Sequence, residues 1–212
     1  MGQIDFFFLF TSLAVMLFSL TVHEAAHAWT AQRLGDPTAR LLGRISLNPA
    51  VHVDPLGTIV LPLVAMVTGA PLLGWAKPVP VDFRYLKNPR RDFMVIAAAG
   101  PLSNLVLATL AAIVLQLTPL GRSGGGLDVA SPLALFARKV VQVNVLLACF
   151  NMIPVPPLDG GNVLGGLLPQ HLADRFDALR PYGVFILYGL MFSGLLSQII
   201  SPPYHLIQSV LL

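Results

Sequence analysis

His23, Glu24 and His27 stand together in His23-Glu24-Ala25-Ala26-His27, and Glu24 is the sole glutamate among 212 residues. On a helix turning about 100° per residue, the two imidazoles point within about 40° of each other, one turn apart. At that spacing they can take two corners of a tetrahedral zinc. Glu24 points to the same side, where it can take a proton from a zinc-activated water rather than bind the metal. The chain holds 5 His, and with these numbers the pattern arises by chance in about one such chain in two thousand. Packed histidines that happen to flank a glutamate are the plainer reading, but unpaired polar groups at membrane depth are costly.

Such a site needs a third protein ligand. Two histidines with a second glutamate are excluded by composition, and the longer motif that ends in Gly and His fails because Thr30 and Arg33 stand in those places. A histidine or an aspartate is left. His52, His171 and His205 qualify by type but lie in stretches that read as loop or tail. Asp159 follows Asn151-Met152-Ile153-Pro154-Val155-Pro156-Pro157-Leu158, after an apolar segment that these prolines interrupt. Irregular backbone at membrane depth is tolerated where it lines a cavity in the protein. A helix exit with a solvated aspartate is the bland alternative for that stretch.

The elements that must position these residues are apolar. Hydrophobic residues make up 55% of the chain and charged ones 11%, with a mean hydropathy of +0.75, a balance that points to a polytopic, all-α membrane protein. Long apolar segments run from Ile4 to Trp29, Leu56 to Trp75, Phe93 to Thr118, Pro132 to Ile153 and Tyr182 to Ile200. The uncharged core of the first, Phe6 to Val22, covers roughly 25 Å as a helix. It lacks a basic leader and carries the metal motif at its end, so it reads as retained rather than as a cleaved signal peptide. The net charge of +3 comes from basic residues scattered through loops, with no stripe or module for nucleic acid. Cys149, the one cysteine, reads as a buried inert thiol.

Four stretches together resemble the site-2 protease family of zinc metalloproteases, which cut peptide bonds within or near the membrane: His23 to His27, Asn48 to Thr58 (NPAVHVDPLGT), Ala99 to Asn104 (AGPLSN) and Asn151 to Gly161 (NMIPVPPLDGG). They span most of the chain in the family's order. The resemblance implies one Zn2+ per chain held by His23, His27 and Asp159, Glu24 as catalytic acid and base, and Asn151 as a residue that orients or stabilises the reacting carbonyl. No PDZ or nucleotide-sensing domain is apparent, so residues 1–212 are expected to form a single, minimal membrane-embedded metalloprotease domain. The resemblance also implies an extended hairpin near the active site that pairs with unwound substrate, and Gly74 to Val81 is the candidate; Pro78 and Pro80 there suit an edge strand. An ordinary juxtamembrane loop with an interfacial tryptophan explains that stretch equally well.

Topology gives an independent expectation. If His27 and Asp159 are to meet, the first and fourth long segments must end on one side, so both flanks of Leu56 to Trp75 lie on that side too. That segment carries Pro62, Gly69, Pro71 and Gly74 and reads as a re-entrant hairpin with short β-like strands. About four full transmembrane helices result, with the N-terminus outside. The active-site side then holds Arg33, Arg40, Arg44, Lys77, Arg84, Lys87, Arg90, Arg91, Arg175 and Arg180, against Arg122, Arg138 and Lys139 on the other, the bias of a cytoplasmic face. The tail from Ser201 to Leu212 reads as an interfacial segment on the outer side.

The function these readings predict is a zinc-dependent endopeptidase of the cell membrane, with a transmembrane protein or peptide as substrate and the bilayer as its setting. Two alternatives from other classes are a membrane metal or ion transporter, which would show paired repeats, and a catalytically silent scaffold that binds helices, which intact Glu24 and Asp159 argue against. Asn104 could brace the catalytic helices or serve as generic polar glue. His52 and Asp54 read as parts of a packed loop rather than a second metal site.

Overall fold

A computed structural model describes residues 6–61, 64, 74–118 and 132–212. Eight α-helices occur among them: α1 (Phe6–Arg33), α2 (Thr38–Leu41), α3 (Pro89–Leu117), α4 (Pro132–Asn151), α5 (Asp159–Leu167), α6 (Gln170–Asp177), α7 (Gly183–Phe192) and α8 (Leu195–Leu211). Helix α3 is the centre of the bundle: α1, α4 and α5 all pack against it, and α8 packs on α4.

Pro89 opens α3, where its missing N–H costs nothing, and the Asp92 carboxylate accepts the N–H of Asn88 at 2.8 Å. The buried positions Ala97, Gly100, Asn104, Ala108 and Ala112 then recur every three or four residues, a stripe of small side chains that lets neighbouring backbones come close. In a membrane, where lipid tails are as apolar as leucine, such close packing is the main attraction between helices. Helix α4 answers with Ala137, Val141, Asn144 and Ala148 on its own buried stripe. Ala108 and Ala112 meet Val141 and Val145 in the core, with Tyr204, Ile207 and Leu211 of α8 packed around them. The opposite faces stay apolar and exposed, with Leu102, Val106 and Leu110 on α3 and Leu133, Phe136 and Leu146 on α4, which is the surface a bilayer would cover.

Among the described residues, α3 and α4 are long and apolar enough to cross a membrane, and the bent pair Gln170–Phe192 and Leu195–Leu211 would make a third span if counted as one. The expected segment from Tyr182 to Ile200 is broken in two. It is no single straight helix, because Gly194 adopts a left-handed φ of 77° between α7 and α8, a conformation that glycine alone takes without steric cost, and the pair bends by 81°. Ser201 to Leu212 falls largely within α8, and its Tyr204, Ile207 and Leu211 contribute to the α3–α4 core.

The short β-like strands expected near the site do not form among the described residues. Residues 74–82 form no regular secondary structure. Pro78 and Pro80 have no N–H to offer a ladder, and the segment is tied down singly: Trp75 N–H donates to Gly57 O at 3.2 Å and Lys77 N–H to His52 O at 2.9 Å. The Thr58 hydroxyl adds a bond to Trp75 O at 2.8 Å, buried Arg44 donates to the carbonyls of Lys77 and Pro78, and Asp36 accepts the Asp82 N–H at 2.8 Å. On the other flank, Pro55–Val60 forms one π-helical turn that Asp54 caps through Gly57 N–H at 2.7 Å. Pro62, Gly69 and Pro71, on which the re-entrant reading rests, lie outside the described residues.

Candidate metal centre

His23 and His27 sit on the last third of α1, both buried, where that helix crosses α3. They can do so because α3 carries Gly100 at the crossing: a Cβ there would lie 2.4 Å from His27 Nε2 and 2.5 Å from His23 Nε2. Each ring is held by its other nitrogen. His27 Nδ1 donates to Ile96 O at 2.7 Å, and because a carbonyl can only accept, the proton must be on Nδ1, which in the neutral ring leaves Nε2 bare. His23 Nδ1 lies 2.6 Å from Asn104 Oδ1. The two rings stand edge to face, 4.7 Å between centroids.

Asp159 arrives from the far end of the chain. After α4 ends at Asn151 the backbone turns tightly, Val155 N–H donating to Ile153 O and Leu158 N–H to Val155 O, and Asp159 becomes the first residue of α5. Gly160 lets that first turn lie against the Met152 carbonyl, where a Cβ would come within 2.3 Å. The Asp159 Oδ2 atom reaches 3.0 Å from His23 Nε2 and 3.4 Å from His27 Nε2. It is buried without a hydrogen-bond partner. With His27 neutral, the Nε2 lone pair and a carboxylate oxygen face each other and repel unless a cation lies between them. The separations suit one, since ligands at about 2.0 Å from a tetrahedral zinc lie roughly 3.3 Å apart. The donor set of two imidazoles and a carboxylate is one zinc accepts, so these residues fit the metal that the spacing predicted. Among the described residues this is the sole cluster of three metal-binding side chains within reach of one another.

Glu24 and Asn151 line the same cavity of about 810 Å³ as the three, together with Trp75, Val79 and Phe93. Asn151 spends one amide hydrogen on Leu147 O at 3.0 Å, which leaves a second to donate. His52, His171 and His205 do not join the cluster. His52 is buried with Nε2 bonded to Ser46 O at 2.9 Å, and with Asp54 and Thr58 it braces the segment from Gly74 to Asp82, so the Asn48–Thr58 signature is built into the wall of the cavity. Sequence reasoning missed Ser19 and Asn144, which are fully buried and bonded to one another and to Asn104. Asparagine within an otherwise apolar span was the signal available for Asn144.

The model of peptidase family M50 matches residues 11–137, which is more than half of the sequence and includes both histidines. The chain belongs to peptidase family M50. The M50 assignment agrees with individual relatives. YwhC of Bacillus subtilis (strain 168), described as a candidate zinc metalloprotease, is 36% identical over 193 residues, covering 88% of this chain and 82% of YwhC. Rip2 of Mycolicibacterium smegmatis, so described too, is 31% identical over 197 residues, covering 88% of this chain and 68% of Rip2. Rip3 of Mycobacterium tuberculosis (strain ATCC 25618 / H37Rv) is 33% identical over 167 residues, covering 78% of this chain and 33% of Rip3. No solved structure matches. As an M50 member the chain is a zinc metallopeptidase, a membrane protein that hydrolyses peptide bonds of protein substrates.

Gly100 offers a sharp check on this packing. Gly100→Ala must either rotate both imidazoles or push α1 off α3, and displacements of about 1 Å at a reacting centre cost on the order of 10²-fold in rate. Purified Gly100→Ala is expected to stay folded, bind zinc more weakly and lose about that factor in peptide hydrolysis; wild-type rates would show that α1 and α3 do not cross this closely.

Proposed function

We propose that the chain is an intramembrane endopeptidase that cuts membrane-spanning substrates within or next to the bilayer, at a zinc held by His23, His27 and Asp159. The observation that carries this is the arrival of Asp159 Oδ2 within 3.0 and 3.4 Å of the two Nε2 atoms from a helix 132 positions later in the sequence than His27. When bound, the zinc acidifies a water and polarises the scissile carbonyl. Glu24 takes the proton from the attacking water and passes it to the leaving amine. Asn151 turns its remaining amide hydrogen toward the oxyanion that develops on the carbonyl.

Substrate recognition follows from the same cavity. A transmembrane helix keeps its carbonyls bonded internally, so the segment to be cut must unwind before attack. The stretch Gly74 to Val81 borders the cavity, and the backbone groups of Ala76 and Val79 make no hydrogen bond among the described residues. They are open to pair with an unwound strand. Prolines 78 and 80 keep the edge from pairing with a second copy of itself.

For topology, α1, α3 and α4 with the bent α7–α8 pair supply four crossings. The ten basic residues from Arg33 to Arg91 and at Arg175 and Arg180 put the catalytic end toward the cytoplasm, and the whole forms one membrane-embedded domain. Proteoliposomes carrying the purified chain and a single-span peptide test both points. Cleavage is expected near the end of the span on the side where a cysteine placed at Lys87 is labelled, and it should stop with a chelator and return with zinc. Cuts confined to soluble flanks, or on the side opposite Lys87, would refute the reading.

A further inference from the structure

We infer that Asn144, two turns before Asn151 on α4, is a positioning residue of the metal centre: acting through Asn104, it determines which nitrogen of His23 is left bare for the metal. This rests on the proposal that His23 holds zinc. The inference follows from the direction in which each hydrogen bond must run. Asn144 Nδ2 donates to Val140 O at 2.9 Å, and since a carbonyl has no proton to give, the orientation of this amide is set. The same Nδ2 also donates to Ser19 Oγ at 2.9 Å. Asn144 Oδ1 is therefore turned toward Asn104, which must present its own Nδ2, at 2.8 Å. That Nδ2 also leans toward Ser19 O at 3.4 Å, again an acceptor alone. Asn104 Oδ1 is consequently the atom that meets His23 Nδ1 at 2.6 Å, so Nδ1 carries the proton and, in the neutral ring that a metal requires, Nε2 turns its lone pair toward Asp159.

Every member of this chain is closed off from solvent: Ser19, Asn104 and Asn144 are 0% exposed and His23 is 3% exposed. No water can stand in for a missing partner, so the amide orientations are set by the protein alone. Were Asn104 to turn over, its Nδ2 would face His23 Nδ1 and select the tautomer whose proton sits on Nε2, pointing into the metal site. Polar glue between helices would hold α1, α3 and α4 together in either orientation. It gives no reason for donation to run in one direction, from a metal-facing histidine to Val140 O and Ser19 Oγ.

The test compares zinc affinity, measured by chelator competition, and the absorption spectrum of the cobalt-loaded full chain in detergent. Asn144→Leu removes the acceptor that orients Asn104 and is expected to weaken zinc binding by about 10- to 100-fold, alter the cobalt spectrum and lower kcat more than it raises KM. Asn144→Ala replaces it, with the same expectation, should the leucine form not fold. Asn144→Asp keeps an acceptor facing Asn104 and is expected to restore zinc binding to within about threefold of wild type. If Asn144→Asp binds zinc as weakly as the leucine form, or if the leucine form binds it as tightly as wild type, Asn144 is packing and the inference falls. His23→Ala separates this from the underlying proposal: zinc affinity unchanged in that variant would overturn the ligand assignment, and the inference with it.

Discussion

Glu24→Gln is expected to keep about one zinc per chain and to lose peptide hydrolysis by about 10³-fold or more. Glutamine has the shape of glutamate but cannot take a proton from water, and it cannot hand one to the leaving amine, so the variant loses both halves of the acid–base cycle at once. A loss of that size corresponds to about 4 kcal/mol of transition-state stabilisation. Zinc should stay because Glu24 is not among the three side chains whose donor atoms converge; it lines the cavity beside them. Single-turnover cleavage of a transmembrane peptide, run beside metal analysis of the same preparation, gives both numbers. Activity within tenfold of wild type would remove Glu24 from the role of base. Loss of zinc would instead make it a ligand, and the division of labour between Glu24 and Asp159 would have to be redrawn.

The variant doubles as a trap. With zinc in place and proton transfer blocked, a bound substrate is held at the stage before cleavage, and membrane peptides that co-purify with Glu24→Gln but not with wild type would identify the physiological substrates.

What could be read before the fold was known depended on how local each feature is. The His23–His27 pair is legible because both residues lie on one helical turn of an uninterrupted apolar segment. The two central helices were expected from Phe93 to Thr118 and from Pro132 to Ile153; they form as Pro89–Leu117 and Pro132–Asn151, since unbroken apolar length sets a span and proline sets its start. The Tyr182 to Ile200 segment has the same apolar signal, yet one glycine breaks it. Nothing in its hydropathy distinguishes Gly194, which takes a left-handed turn, from Gly189, which lies inside α7. The stretch from Gly74 to Val81 was legible as a segment near the site, but the edge strand expected there does not form, because its prolines remove the donors on which a ladder depends. The partner of Asn104 was least legible. Composition shows a buried asparagine and its need for a partner, but the choice of Asn144, forty residues on, depends on the register between α3 and α4, which no local pattern contains.

Asp159→Ala should have the other large effect, and it separates the metal from the fold. In wild type, Asp159 Oδ2 is buried without a hydrogen-bond donor and faces the two Nε2 atoms. Beside neutral imidazoles, a carboxylate left in that position is destabilising until a cation joins it. The first turn of α5 does not depend on the side chain, since Gly161 N–H donates to Leu158 O at 3.0 Å. With metal stripped from both, at a pH that keeps the imidazoles neutral, the alanine variant is therefore expected to melt no lower than wild type. Adding zinc reverses the order. At about 1,000 times its dissociation constant a ligand stabilises the folded state by about 4 kcal/mol, so wild type should rise in melting temperature and regain activity. The variant, left with two imidazoles, should show neither change at the same zinc concentration. Were Asp159→Ala to shift with zinc as wild type does, the third ligand would have to lie elsewhere, and the short distances from Asp159 to the histidines would reflect packing alone.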